Sequence, residues 1–148
     1  MSFCIENKLN WLYIDINSYY AAIEQQVDPS MRGKPVAVVP LLSDSTCAIA
    51  ASHEAKLKGI KTGTKIYQAK KLCPGLICIK ARHNLYIEYH HKIFKEVDLY
   101  LHVDHIFSID EGACKLTGKY RNESDAISIG RIIKKQYVIT WVNTLAAL

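Results

Sequence analysis

The chain has 148 residues, 49% of them hydrophobic and 22% charged, enough apolar material for one packed domain, which excludes global disorder. Lys and Arg (19) exceed Asp and Glu (14) by +5, a mildly basic balance that admits a phosphate or nucleic-acid partner without requiring one. No apolar run approaches the ~20 residues of a membrane span, and the first eight residues lack the basic-then-apolar pattern of a secretory leader, so the expected setting is cytoplasmic, with no membrane partner.

Strand and helix patterns alternate along the chain, which points to an α/β or α+β domain. Trp11 to Ile16 is an apolar run broken only by Asp15, suited to a buried strand. Asn17 or Ser18 can cap the helix that follows through Gln26, and Pro29 and Gly33 mark its exit. Strands are predicted at Val36 to Val39 and Thr46 to Ala51. Short helices are predicted at His53 to Leu57, stopped by Gly59, and at Ile66 to Leu72, ended by Pro74-Gly75. Leu76 to Ile79 returns as a strand. Asn84 is expected to cap the longest helix, whose apolar face carries Leu85, Tyr89, Ile93, Val97 and Leu101 at every fourth residue. A hairpin follows, with Asp110-Glu111-Gly112 at its bend. Ser124 to Gln136 reads as an amphipathic helix with Ala126, Ile129, Ile133 and Tyr137 on one face, and Tyr137 to Val142 as a strand.

The five cysteines, Cys4, Cys47, Cys73, Cys78 and Cys114, are odd in number and irregularly spaced. They read as free thiols in a reducing compartment. Cys73 and Cys78 lack a second Cys or His pair at zinc-finger spacing, so a metal site there is not expected.

Asp15 does not belong in a buried strand, where an unpaired carboxylate costs several kcal/mol, roughly. Asp110 and Glu111 are adjacent, and neighbouring strand residues point to opposite faces. They can converge only where a strand ends or turns, which Gly112 permits. Three carboxylates at two strand ends make a hard oxygen site suited to Mg²⁺. Two such ions, ~3.5–4 Å apart, could clamp the oxygens of a phosphoryl transfer. A helix cap for Asp15 and a solvated turn for Asp110-Glu111 are the plain alternatives.

The segments Tyr-Ile-Asp-Ile-Asn-Ser-Tyr-Tyr-Ala (13–21), Ala-Ser-His-Glu-Ala-Lys-Leu-Lys-Gly-Ile (51–60) and Ser-Ile-Asp-Glu (108–111) occur in this order. With Arg32 to Val38, Ala69 to Pro74 and the helix from Asn84, they resemble the N-terminal part of Y-family translesion DNA polymerases, the group of DNA polymerase IV and UmuC-like proteins. The resemblance runs from about Trp11 to about Gln136.

The resemblance implies an α+β fold. Residues 1–18 and 80–148 would form a polymerase palm, a mixed or antiparallel sheet with helices on one face, and residues 19–79 an inserted small fingers subdomain. It implies Asp15, Asp110 and Glu111 as catalytic carboxylates. Two Mg²⁺ ions would be held by these acids and the Ile16 carbonyl. Ser18 and Tyr19 would offer main-chain N–H groups to a dNTP, and Tyr20 would be the steric gate against a ribose 2′-OH. His53 and Lys56 would contact the triphosphate, where the family pattern has Tyr and Arg or Lys. The partners implied are a DNA primer–template and a dNTP.

The family pattern continues past this point with a further palm strand, a helical thumb and a DNA-gripping domain. A chain truncated or frameshifted before them is the expectation, with weak or no activity alone and an open sheet edge inviting self-association. Two other functions stay open at this stage. One is a catalytically inactive remnant that acts at most as a DNA- or partner-binding module. The other is a phosphatase of the aspartyl-phosphate type, which Asn17 in place of a second acid disfavours.

Overall fold

The computed structural model describes residues 8–141. Its elements follow the predicted order closely. β1 (Trp11–Asp15) leads into α1 (Tyr19–Val27), a 3-10 turn at Pro29–Met31, and β2 (Val36–Val39). Next come β3 (Ala50–Ala51), α2 (His53–Leu57), α3 (Ile66–Leu72) and β4 (Ile77–Lys80). α4 (His83–Asp98), β5 (His105–Ile106), β6 (Glu111–Lys115) and α5 (Glu123–Trp141) follow within the described residues.

The strands form two three-stranded sheets. The first, in the order β1-β6-β5, is antiparallel and pairs Asp15 with Glu111 and Tyr13 with Ala113. The second, β3-β2-β4, is mixed: β3 runs antiparallel to β2 and β4 parallel to it. All four residues of β2 are buried, as the unbroken Val-Ala-Val-Val run requires of a central strand covered on both faces.

In the first sheet the alternation of β1 sets the layers. Leu12 and Ile14 face inward and meet Cys114 of β6, Val97 of α4 and Ile129 and Ile133 of α5. Tyr13 and Asp15 point to the exposed face, together with Glu111 and Lys115. A second cluster joins Ile16, Tyr19, Ala21 and Ile23 to Val36, Val38, Tyr86, Ile93 and Phe94, so α1 and α4 share one core with β2.

Four local expectations change. The strand predicted over Thr46 to Ala51 contracts to Ala50–Ala51. Its first half turns away to bond with the 62–66 loop, Ala48 N–H to Thr64 O at 2.9 Å and Gly63 N–H to Ala48 O at 2.8 Å. α4 begins at His83 with Arg82 in the capping position, so Asn84 lies inside the helix instead of capping it. α5, with 19 residues against 16 in α4, is the longest helix. The strand expected from Tyr137 is helical through Trp141, and the rest of that prediction, at Val142, lies outside the described residues. The β-branched residues there gave a strand-like pattern, but helix propensity differences of ~0.7 kcal/mol per residue or less do not stop a helix already propagating. Among the described residues no helix is long and apolar enough to cross a membrane.

Candidate active site

The C-terminal end of β1, the N-terminus of α1 and the start of β6 meet at a cleft of about 310 Å³. Asp15, Ile16, Ser18, Tyr19, Tyr20, Lys56 and Asp110 line it. The β1–β6 pairing explains why two acids so distant in sequence meet. Ile16 N–H donates to the Asp110 carbonyl at 3.0 Å, one step beyond the Asp15–Glu111 pair.

Asp110 is held from three directions. The Ser108 hydroxyl donates to its carboxylate at 2.7 Å, Ile16 holds its main chain, and His90 of α4 hydrogen-bonds the preceding carbonyl, that of Ile109, at 2.8 Å. A carbonyl only accepts, so His90 Nδ1 carries the proton.

The N-terminus of α1 opens on the same cleft. Ser18, its capping residue, is left-handed (φ 57°), and its side chain makes no capping bond. The hydroxyl turns instead to Asn17 Oδ1 at 3.4 Å. The first intrahelical bond is Ala22 N–H to Ser18 O, so the N-terminal turn presents its positive dipole end to the cleft.

Lys56 arrives on α2. Ser52 caps that helix by accepting from Ala55 N–H at 3.3 Å and also accepts from Val36 N–H at 3.1 Å, which ties α2 to β2. Ala55 is fully buried beneath the helix, and Lys56 turns outward to donate to Asn17 Oδ1 at 2.6 Å.

The floor of the cleft is aromatic. The Tyr20 ring stacks on Tyr86 of α4, centroids 4.3 Å apart and planes 15° apart. The Tyr86 hydroxyl donates to Glu24 Oε1 at 2.7 Å, and Arg82 grips the same carboxylate through Nε and Nη2. Burial raises the Tyr86 phenol far above its ordinary range, so it stays a donor. Its hydrogen bonds to Glu24 raise the Arg82 guanidinium further above its ordinary range.

Not every predicted residue gathers here. Glu111 is opposite Asp15 on the exposed sheet face but does not line the cleft, and His53, exposed at the start of α2, does not line it either. Among the described residues no group of three His, Cys, Asp or Glu side chains is close enough to hold a metal. The hard oxygen donors that share the cleft include the Asp15 and Asp110 carboxylates and the Ile16 main chain. Asn17, Thr62 and Ile49 also line it and were not singled out from sequence as site residues. Asn17 stands between Asp15 and the start of α1, where the sequence offers it as a cap and as a departure from an Asp-x-Asp pattern, and its side chain accepts from Lys56.

Residues 14–141 match the impB/mucB/samB family. Over 127 residues the chain is 35% identical to DNA polymerase IV of Moorella thermoacetica, covering 84% of this chain and 32% of that protein. DNA polymerase IV of Saccharolobus solfataricus is 31% identical over 128 residues, 84% of this chain and 36% of that one. The chain thus spans about a third of the length of these curated relatives. Among solved structures, DinB from Sulfolobus solfataricus superimposes with a TM-score of 0.79 at 25% identity over 88% of this chain and 39% of that one. An insertion ternary complex of Dbh DNA polymerase gives 0.80 at 24% identity over 89% and 40%.

Proposed function

The chain belongs to the impB/mucB/samB family and has the fold of the N-terminal part of a Y-family polymerase, and from that premise we propose that its cleft serves template-directed nucleotidyl transfer in translesion DNA synthesis. The observation that carries this reading is the convergence of Asp15, Asp110 and Lys56 on one cleft at the N-terminus of α1. In this reading residues 8–18 and 80–141 belong to the palm and residues 19–79 to the fingers, the remainder of the predicted palm lying outside the described residues.

Asp15, Asp110 and the Ile16 carbonyl would hold divalent cations, two Mg²⁺ in the full reading, with Glu111 beside Asp15 as the third acid. Bound there, such ions supply charge neutralisation to the phosphoryl oxygens. Lys56 and the first turn of α1, at Ser18 and Tyr19, would bind the triphosphate anion. His53, exposed at the start of α2, would contribute at most a hydrogen bond. Tyr20 would stand against the sugar and exclude a 2′-OH. The primer 3′-hydroxyl loses its proton to solvent as its oxygen bonds to the α-phosphorus, the bond to the α–β bridging oxygen breaks, and pyrophosphate leaves. Positioning and electrostatics supply most of the acceleration. DNA primer–template and dNTP are the partners, and the cytoplasm is the setting that the free thiols Cys47, Cys73, Cys78 and Cys114 favour.

Calorimetry of Mg²⁺-dependent dNTP binding tests the site. Asp15→Asn and Asp110→Asn are expected to abolish it, and binding unchanged in both would refute the assignment.

A second reading, a DNA- or partner-binding module without independent catalysis, is favoured by the cleft's being lined by two acids and not three. Primer extension by the purified chain separates the two. Self-association belongs to either reading. The ladder to β6 engages residues 10 and 16 of β1's side of the pair, so by alternation the main-chain groups of Trp11, Tyr13 and Asp15 face the other edge. No strand among the described residues pairs there, and a groove of about 720 Å³ between β1 and α5 runs along it. A second copy pairing along β1 would cover this edge. Sedimentation that stays monomeric at every concentration would exclude that pairing.

A further inference from the structure

We propose that Tyr86, anchored by Glu24 and Arg82, is the positioning residue that fixes the Tyr20 ring and so sets how strictly the cleft separates deoxyribonucleotides from ribonucleotides. The inference deepens the function proposed above and rests on it. Tyr20 is only half-buried and, as a helix residue, has alternative staggered rotamers open to it. A ring that discriminates by bulk must not yield when a larger sugar presses on it. Tyr86 supplies the resistance: it is fully buried and lies flat against Tyr20 at 4.3 Å. His83 closes one side of Tyr20 edge-on at 6.1 Å, and Tyr19 approaches it at 5.8 Å.

Tyr86 is itself fixed at both ends. Its hydroxyl donates to Glu24 at 2.7 Å, and its main-chain carbonyl accepts from the Tyr19 hydroxyl at 2.8 Å. Glu24 is fully buried, so its carboxylate depends on Arg82 and Tyr86 for compensation and has little freedom to move. Glu24 lies one helical turn beyond Tyr20 on α1, and Arg82 lies one turn before Tyr86 across the gap. The network therefore locks the helix that carries the gate to the helix that carries its backstop.

The test measures binding of Mg²⁺-dCTP and Mg²⁺-CTP by calorimetry in the full chain, with the Tyr20 ring proton shifts by NMR. The wild type is expected to favour dCTP by ~10-fold or more, the scale set by one small group in a shaped pocket. Tyr86→Leu removes the flat backstop and is expected to bring that ratio close to unity while dCTP still binds. Tyr86→Phe keeps the ring but loses its anchor to Glu24, and is expected to give a ratio between those of the wild type and Tyr86→Leu. Ring stacking should hold the Tyr20 protons upfield in the wild type and in Tyr86→Phe. If Tyr20→Ala collapses the ratio and a folded Tyr86→Leu does not, this inference fails and the proposed function stands. A wild type without a dCTP preference, or one unaffected by Tyr20→Ala, overturns the gate reading and this inference with it. Should Tyr86→Leu not fold by circular dichroism, the Tyr20 shift decides: unstacked values in the wild type overturn the proposal.

Discussion

His90 Nδ1 lies 2.8 Å from the main-chain oxygen of Ile109, the residue that precedes Asp110. One histidine of α4 thereby holds the loop that brings an acid into the cleft, much as outer residues orient the ligands of metal sites. His90→Ala is expected to leave the fold intact and to weaken Mg²⁺-dependent nucleotide binding about 10-fold. His90→Asn, whose amide nitrogen can occupy the place of Nδ1, should recover most of it. Titration calorimetry of the three proteins checks both outcomes.

Arg82 and Glu24 make the next prediction. Glu24 is fully buried, while the Arg82 side chain is 47% exposed. Arg82→Met strands a buried carboxylate and should cost about 3–5 kcal/mol in urea unfolding. Adding Glu24→Met removes the stranded charge and should recover most of the loss. About 1–2 kcal/mol should remain, because the Tyr86 hydroxyl then lacks its acceptor.

Gly112 sits where β6 passes under α4. A Cβ there would meet Phe94 Cε1 at 2.5 Å and the His105 oxygen at 3.2 Å. Gly112→Ala must displace a buried ring and is expected to destabilise by about 1–3 kcal/mol. Phe94→Leu in the same chain should relieve the clash, so the double variant unfolds at higher urea than the sum of the single losses predicts.

Cys114 gives a pH dependence. Burial pushes its thiol from 9.0 up to about 11, with Asp104 and Asp98 adding to the rise. The unfolded chain releases this proton first as pH rises. The contribution to stability is complete below pH 9.0 and is lost as pH climbs towards about 11. Cys114→Ala should flatten that part of a urea-stability profile. Among the four cysteines of the described residues, at pH near 8 Cys114 should react last with a thiol reagent and the half-buried Cys47 first.

Much of the fold was legible because its signals are local. Val36 to Val39, His53 to Leu57 and Ile66 to Leu72 appear within the predicted limits, since apolar period, Gly59 and Pro74-Gly75 act within a turn of the chain. The misreadings arose where partners are remote. Thr46 to Ile49 looked strand-like and is drawn off by Thr64, and Asn84 looked like a cap although α4 starts one residue before it. The site divides the same way. Asp15 and Asp110 stood out as acids at the ends of apolar runs, Lys56 followed only from the family resemblance, and all three line the cleft. The role of Asn17 in the cleft was not legible, because nothing local announces that Lys56 will reach its side chain.

By itself the sequence determined the order and type of the elements and which acids stand at strand ends, because hydrophobic period and turn chemistry are properties of neighbouring residues. Tertiary structure alone decided that Asp110 reaches Asp15 while Glu111 stays outside the cleft, that Tyr20 stacks on Tyr86, and that Glu24 finds Arg82. Those outcomes depend on strand register and on the packing of α1 against α4, where one residue of slip would turn each side chain to another face.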